Sequence, residues 1–222
     1  MTELEHKTIP VTIITGFLGA GKTTLLNSII TTYTNSGAKK FAVIENEFGE
    51  INIDSELVVG AKENIYELSN GCICCTINDE FHNVLEQLID SGYAFNHLLV
   101  ETTGIAEPLS VLAPFLTDAA IQQIFKVDSV LCVVDALNVL ELIDDQIEVR
   151  QQIALSDTIL INKCDAVSEK TLEEVLAKIK SLNETGRIYT TSFGKVEGME
   201  LLDTNAYDGA AIQESVLAYK PD

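Results

Sequence analysis

The sequence predicts an α/β fold in which a mostly parallel sheet carries helices on both faces. Short apolar runs rich in β-branched residues recur along the chain, and their all-apolar character is typical of strands buried on both sides. Helical patterns, with apolar residues three and four positions apart, lie between these runs. A glycine-rich segment joins the first strand to the first helix. Strands that alternate with helices in this way favour a parallel sheet with helical crossovers.

The predicted elements follow one another in a regular order. The strands are VTIIT (11–15), FAVIE (41–45), HLLVE (97–101), SVLCVVD (129–135) and TILIN (158–162), with a weaker candidate at IYTTS (188–192). The helices are KTTLLNSIITTY after the first strand, EFHNVLEQLID before the third and TLEEVLAKIKSL after the fifth. In EFHNVLEQLID the apolar residues at 81, 84, 85, 88 and 89 form one helix face.

Length and composition indicate one folded domain. The chain has 222 residues, of which 46% are hydrophobic, so it is long enough to bury a core and is not typical of disordered proteins. We expect a single domain over 1–222, with its core at about 9–193 and an extension at about 194–222. The periodicity fades in this extension, and no internal repeat or linker divides the chain.

Charge and targeting signals restrict the partners. The formal net charge of −20 gives a surface that repels phosphate backbones and anionic lipid, so neither nucleic acid nor a membrane is an expected partner. The beginning of the chain, MTELEHKTIP, lacks the basic and apolar character of an export signal. No apolar run approaches the ~20 residues of a membrane helix. We therefore expect a cytoplasmic protein.

Residues 16–23 read GFLGAGKT and match the phosphate-binding pattern G-x-x-x-x-G-K-[ST] in full. The match lies between a predicted strand and a predicted helix, where glycines let backbone N–H groups surround phosphates and the helix N-terminus attracts negative charge. Lys22 is expected to reach the β- and γ-phosphates, and the Thr23 hydroxyl to ligate Mg²⁺. The predicted nucleotide-binding residues here are Gly16, Gly19, Ala20, Gly21, Lys22, Thr23 and Thr24. The fold is thus predicted to be that of a P-loop NTPase.

The segment NKCD (162–165) after TILIN indicates guanine. A carboxylate at Asp165 accepts hydrogen bonds from N1–H and the exocyclic amine of guanine, whereas adenine offers neither donor there. Asn162 either reaches the purine edge or ties this loop to the phosphate-binding loop, and the stem of Lys163 packs on the ring. Since ligands bind at the carboxyl ends of strands in such sheets, the predicted nucleotide is GTP.

The segment ETTG (101–104) after HLLVE is predicted to contact magnesium and the γ-phosphate. Glu101 is placed to hold Mg²⁺, and Gly104 to bring a backbone N–H to the γ-phosphate. The residues expected to carry hydrolysis are Lys22, Thr23, Glu101 and Gly104. Hydrolysis should be slow without a partner, because no water-positioning glutamine or arginine finger is evident.

Three cysteines, Cys72, Cys74 and Cys75, are crowded in the stretch NGCICC. A disulfide is the weakest interpretation, because the chain has an odd number of cysteines, five, and cytoplasmic thiols are kept reduced. Clustered thiolates bind Zn²⁺, Cu⁺ and similar ions, and a helix beginning near Cys75 would favour the thiolate. Buried hydrophobic cysteines and a C-x-x-C redox pair remain as alternatives.

In this order, GFLGAGKT, ENEFGEINID, NGCICC, ETTG and NKCD resemble the CobW-type metallochaperone GTPases, relatives of the urease- and hydrogenase-maturation GTPases. The resemblance runs from about Ile9 to about Phe193. It implies a protein that binds GTP and a transition metal and passes the metal to a target protein. It also implies that Glu45 and Glu50 join the cysteines as metal ligands, with Asp54 as a candidate on the magnesium side.

The resemblance leaves several features open. Members of this family usually carry a further C-terminal domain, which we expect to be absent here. Thiolate with carboxylate suits Zn²⁺ and tolerates Co²⁺ or Ni²⁺. A metal site shared across a two-fold axis would make the protein a homodimer. The alternative function is a GTP-gated regulatory module whose cysteines are structural, and a small-molecule kinase is a third, weaker hypothesis.

Overall fold

A parallel sheet forms the centre of the molecule. The structure is a computed structural model that describes residues 8–35, 39–45, 65–69, 77–106 and 108–209. The strands in these ranges are β1 (Ile9–Thr15), β2 (Phe41–Glu45), β3 (Ile65–Ser69), β4 (His97–Glu101), β5 (Phe125–Asp135), β6 (Thr158–Asn162) and β7 (Arg187–Thr190). They form one seven-stranded sheet in the order β3-β2-β4-β1-β5-β6-β7, and each neighbouring pair is parallel.

The helices connect these strands. They are α1 (Lys22–Asn35), α2 (Ile77–Asp90), α3 (Pro108–Thr117), α4 (Ala119–Ile124), α5 (Val139–Asp145), α6 (Ile147–Ala154) and α7 (Glu169–Leu182). The predicted parallel α/β fold is confirmed, as are its strands and the helices α1, α2 and α7. β3 and the helices α3 to α6 were not predicted from the sequence. Within the described ranges, no helix has the length and hydropathy needed to cross a bilayer.

Alternating side chains along the strands place helices on both faces of the sheet. Val130 in β5 packs with residues of α2, α3 and α4, while Cys132 and Val134 pack with residues of α5, α6 and α7. Leu131 and Val133 point to the opposite face and pack with α1. Because successive residues of a strand point to opposite sides, the continuous apolar run VLCVV of β5 is buried by both layers.

The segment after β7 continues the core on the α1 face. Val196, Leu201 and Leu202 are buried there against α1 and the central strands. Tyr33 of α1 donates its hydroxyl hydrogen bond to the Met199 carbonyl at 3.2 Å. Residues beyond 193 therefore contribute to the packed core, although the periodicity of their sequence is weak.

His97 is buried at the start of β4 as a structural residue. Its Nε2 lies 2.9 Å from the Thr12 hydroxyl, and its Nδ1 lies 3.4 Å from Lys39 Nζ. Lys39 also forms an ion pair with Asp203 at 2.6 Å. Burial, reinforced by the nearby Lys39 charge, lowers the pKa of His97 from 6.5 to about 3. The imidazole is therefore neutral in the folded protein at all but strongly acidic pH.

This buried imidazole should make the protein sensitive to acid. A histidine whose pKa is lower in the folded state stabilises the fold above pH 6.5, and this contribution is lost as pH falls toward about 3. His97→Gln cannot titrate, so its free energy of unfolding should fall less steeply than that of wild type below pH 6.5, by up to about 1.4 kcal/mol per pH unit. Urea unfolding from pH 7 to pH 4 measures the two slopes.

The comparison with wild type is needed because a second buried group acts in the opposite direction. Burial raises the pKa of Asp157 from 3.8 to about 6, so its contribution to stability declines as pH rises across that interval. Both proteins contain Asp157, and the difference between their slopes isolates His97. Identical slopes would show that the imidazole is not held neutral by the fold.

Candidate functional site

The phosphate-binding loop between β1 and α1 requires glycine at two positions for steric reasons. Gly16 has φ +138°, and a Cβ there would lie 2.2 Å from the Val133 carbonyl oxygen. Gly21 has φ +103°, and a Cβ there would lie 2.5 Å from Asn162 Nδ2. Side chains would be strained at these backbone angles and would collide with β5 and β6. The loop is therefore pressed against the carboxyl ends of the two neighbouring strands.

A cavity of about 520 Å³ lies at this loop. The beginning of α1 and the ETTG segment line it, and Lys22 and Thr23 are among its wall residues. Lys22 is buried, with its Nζ 3.3 Å from the Phe17 carbonyl oxygen that accepts its hydrogen bond. An ammonium group at a helix N-terminus concentrates positive charge, so this cavity favours an anion such as a phosphate chain.

A hydroxyl and a carboxylate meet on one side of the cavity. The Thr23 hydroxyl donates a hydrogen bond to Glu101 Oε1 at 2.8 Å, and Glu101 is buried at the end of β4. Hard oxygen donors of this kind are those that Mg²⁺ prefers. The two residues predicted from separate motifs as magnesium ligands are thus in contact, and their donor set fits that ion.

Three strand ends adjoin at the same edge of the sheet. Glu45, at the end of β2, is paired in register with Glu101 of β4 on one side and with Ser69 of β3 on the other. The predicted magnesium carboxylate, Glu101, and the predicted transition-metal carboxylate, Glu45, are thus on adjacent strands. The backbones of neighbouring parallel strands lie about 4.8 Å apart. Glu45 therefore lies next to Glu101, which lines the nucleotide cavity.

The turn after β4 lies directly against the phosphate-binding loop. The Ala106 N–H donates to the Thr103 carbonyl at 3.1 Å, which closes the turn Thr103–Ala106. A Cβ on Gly104 would lie 2.6 Å from the Leu18 backbone nitrogen, so this position also excludes a side chain. Gly104 and Ile105 line the cavity. The predicted γ-phosphate contact therefore lies at the cavity wall.

The NKCD segment is anchored to the phosphate-binding loop. Asn162 is 3% exposed, and its Nδ2 donates to the Ala20 carbonyl at 3.0 Å. Lys163 has φ +61°, and its Nζ donates to the Gly19 carbonyl at 2.8 Å. Of the two roles considered for Asn162, the structure shows the tie between the loops. Asp165 is exposed at the surface.

Three further contacts support this segment, and none of them was predicted from the sequence. Asp135, at the end of β5, accepts a hydrogen bond from Lys163 Nζ at 2.8 Å. Gly194 N–H donates to Asn162 Oδ1 at 3.1 Å, and the Ser192 hydroxyl accepts from Asp165 N–H at 3.2 Å. The aspartate that ends SVLCVVD offered a signal, because it lies at the carboxyl edge of a buried strand. The contacts of Ser192 and Gly194 had none.

The predicted metal ligands are only partly covered by the structure. Glu45 is described, whereas Cys72, Cys74, Cys75, Glu50 and Asp54 lie outside the described residues. Among the residues that are described, no group of three or more histidine, cysteine, aspartate or glutamate side chains is arranged to hold a metal. The transition-metal site thus stays a prediction.

The other cysteines and the histidine His82 that the structure describes have structural surroundings. Cys132 is buried in β5, and burial raises the pKa of its thiol to about 12. Cys164 donates from its thiol to the Ile161 carbonyl at 3.2 Å. His82 Nε2 lies 2.8 Å from Asp118, the residue that caps α4.

Comparisons with known proteins identify relatives of this chain. Residues 10–190 match the sequence model of a family described as CobW/HypB/UreG, nucleotide-binding domain. The zinc chaperone YjiA of Escherichia coli is 36% identical over 218 residues, which cover 96% of this chain and 66% of that protein. The zinc-regulated GTPase metalloprotein activator 1 of Schizosaccharomyces pombe is 37% identical over 208 residues, covering 90% of this chain and 50% of that protein.

A solved structure gives the same result. The crystal structure of the Zn(II)-bound YjiA GTPase from E. coli superposes with a TM-score of 0.65 and 29% sequence identity. The superposition covers 91% of this chain and 63% of that one. The chain therefore spans between half and two thirds of the length of these relatives.

Proposed function

The chain belongs to the CobW/HypB/UreG family of P-loop GTPases, and from this membership we propose that it is a GTP-hydrolysing metallochaperone. It binds GTP with Mg²⁺, carries a transition metal ion and passes that ion to a target protein or cofactor pathway. The observation that carries the proposal is the sheet edge where the nucleotide cavity, the Thr23–Glu101 pair and Glu45 adjoin.

The nucleotide is held from two directions. The phosphates lie in the cavity at the beginning of α1, where Lys22 and the backbone N–H groups of the loop neutralise their charge. The base lies over the NKCD segment, where the exposed carboxylate of Asp165 accepts from both guanine donors. Because Asn162 and Lys163 bond to the phosphate-binding loop, the two halves of the site keep a fixed spacing.

Hydrolysis uses positioning and charge more than covalent chemistry. Mg²⁺, held by Thr23 and Glu101, supplies positive charge at the phosphates. Lys22 and the positive end of α1 add to it. The chain has two arginines, Arg150 and Arg187, and neither lines the cavity. Arg150 donates to the Ile143 carbonyl, and Arg187 lies at the start of β7, a strand at the edge of the sheet. Slow hydrolysis is therefore expected until a partner contributes a catalytic group.

The transition-metal site lies beside the nucleotide. The stretch with Cys72, Cys74 and Cys75 follows directly after Ser69, whose strand partner is Glu45. Three residues of extended chain reach at most about 11 Å, so the chain length keeps Cys72 within reach of this edge. The transition metal that we favour as cargo is Zn²⁺, since two relatives are named for zinc, and Co²⁺ and Ni²⁺ are the alternatives. Glu50 joins this site, and Asp54 belongs to the magnesium side.

Adjacent carboxylates couple the two cations. Glu45 and Glu101 stand on neighbouring strands, so a charge bound at one changes the electrostatic potential at the other. A nucleotide that alters the magnesium side will then change the affinity for the cargo metal, and the reverse holds by thermodynamic linkage. This coupling is what allows GTP to control when the metal is bound or released.

A cobalt titration of reduced, metal-free protein tests the proposal. With Mg²⁺ and a non-hydrolysable GTP analogue, Co²⁺ should produce a thiolate-to-cobalt charge-transfer band, and the midpoint should change at least about fivefold with Mg²⁺-GDP. Replacing Cys72, Cys74 and Cys75 by alanine should abolish the band. Cys164→Ser, which removes a thiol outside the cluster, should retain it and serves as the control.

Absence of the band in both nucleotide states would contradict metal transport. The alternative, a GTP-gated regulatory module with structural cysteines, would then be favoured, and the triple alanine variant would keep its protein contacts.

The partners follow from the proposed cargo and from the charge. A metal-receiving protein is the expected target, and a net charge of −20 disfavours nucleic acid and anionic membranes. We place the protein in the cytoplasm. A homodimer that shares the metal across a two-fold axis is the oligomer we propose.

A further inference from the structure

A buried side chain outside the nucleotide cavity holds the turn that forms part of its wall. Gln152 lies in α6 and is 1% exposed. Its Nε2 donates one hydrogen bond to the Gly104 carbonyl at 3.1 Å and one to the Ala106 carbonyl at 3.3 Å. Gln152 itself does not line the cavity. One side-chain amide outside the cavity therefore donates to two carbonyls of the turn Thr103–Ala106.

The turn has little freedom to move on its other side. Gly104 lies so close to the phosphate-binding loop that a Cβ would be 2.6 Å from the Leu18 nitrogen. The Ala106 N–H already bonds to the Thr103 carbonyl at 3.1 Å. The turn is thus held between the loop that surrounds the phosphates and the Gln152 amide. We therefore expect a substitution of Gln152 to alter the orientation of the backbone groups that the turn presents to the cavity.

The chemistry of the amide suits this task. The two N–H donors of a glutamine can each bond to a carbonyl, and buried carbonyls left without donors are costly. A peptide group is planar, with its C=O and N–H pointing in opposite directions. Fixing the Gly104 carbonyl therefore also fixes the N–H of the next residue, Ile105, which lines the cavity. The side chain of Gln152 thus sets the direction of a backbone donor that it does not contact.

We propose that Gln152 is a positioning residue that holds this turn ready for the γ-phosphate and so sets the preference for GTP over GDP. The inference rests on the proposed function, because it assumes that the cavity binds these nucleotides. GDP lacks the γ-phosphate and is held by the phosphate-binding loop and the NKCD segment. Its affinity is therefore independent of the turn.

Calorimetric titration of Gln152→Met tests the inference. Methionine has nearly the same length as glutamine but no hydrogen-bond donor. We expect the affinity for a Mg²⁺-bound, non-hydrolysable GTP analogue to fall about five- to tenfold, as the loss of oriented hydrogen bonds predicts, while Mg²⁺-GDP binding changes less than about twofold. The ratio of the two affinities is a readout that a general loss of stability would not move.

Asn183→Leu is the matched control. Asn183 Nδ2 also donates to two carbonyls, those of Ile153 at 2.8 Å and Ser156 at 2.7 Å, near the end of the same helix. Its replacement should lower the free energy of unfolding to a similar degree and leave the ratio of affinities unchanged. If Gln152→Met does not fold, Gln152→Asn replaces it, since the shorter amide loses reach but keeps a polar group.

The outcomes separate this inference from the proposed function. An unchanged ratio, or equal weakening of both nucleotides, would overturn the positioning role. Tighter binding of the analogue would also overturn it, because the amide would then hold the turn away from the γ-phosphate. Wild-type protein that binds neither nucleotide would instead refute the proposed function itself.

Discussion

Replacing Lys22 with alanine should weaken the binding of both GTP and GDP by at least about 100-fold. Lys22 is the first residue of α1 and is buried in the wall of the cavity. A lysine that bonds to phosphate oxygens contributes charge-assisted hydrogen bonds, each of about 1.5–3 kcal/mol. Titration with a fluorescent guanine nucleotide measures the loss.

The control for this variant is Lys178→Ala. Lys178 lies on α7 and pairs with Asp144 at 3.3 Å, so its loss removes the same charge away from the cavity. We expect nucleotide affinity to stay within about twofold of wild type, because exposed pairs contribute little. Similar losses in both variants would mean that net charge, and not the position of Lys22, governs binding.

Asp165→Asn should convert the preference for guanine into a preference for xanthine. In the proposed site the carboxylate accepts from N1–H and from the exocyclic amine of guanine, whereas an asparagine amide presents one acceptor and one donor. Xanthine has a carbonyl where guanine has the amine, so it matches the amide. Because a bound base whose polar groups face mismatched partners is strongly rejected, we expect the GDP-to-XDP affinity ratio to fall by on the order of 10³ or more. Competition titrations with the two nucleotides measure it.

Asp144→Asn provides the same chemical change on the exposed surface of α5. Its ratio of GDP to XDP affinity should equal that of wild type. If Asp165→Asn instead weakens both nucleotides equally, the carboxylate supports the loop and does not read the base. The hypothesis of a guanine-specific site would then fail, while phosphate binding through Lys22 would be unaffected.

Five of the six strands that the sequence predicts lie inside the sheet, and the weaker candidate, IYTTS, corresponds to β7 at its edge. β5 and β6 are buried on both faces, so the runs VLCVV and ILI within them are wholly apolar and the pattern is visible without any knowledge of neighbours. β3 was missed because IYELS mixes polar and apolar residues, and among the described strands it pairs with β2 alone. The helix α3 was missed for another reason: it contains Pro114 and is apolar around much of its circumference.

Motifs and long-range contacts account for the difference at the site. Lys22, Glu101 and Asp165 are predicted site residues, because each lies in a short segment whose residue types are set by chemistry. Gln152 could not be predicted, because it bonds to backbone carbonyls 46 and 48 positions away. Every residue has a backbone carbonyl, so the sequence does not indicate which of them accepts this hydrogen bond. Such support of a site through the backbone becomes visible only when the fold is known.

The position of β1 in the sheet has a consequence for biosynthesis. β1 lies between β4 and β5, both of which are encoded long after it, and the last residue of β5 that pairs with β1 is Cys132. A growing chain therefore cannot complete the pairing of the apolar strand IPVTIIT until Cys132 has been translated. Parallel pairings of this span close slowly, and unpaired strands aggregate. The completion of β5 on the ribosome therefore decides when the strand that precedes the phosphate-binding loop can fold.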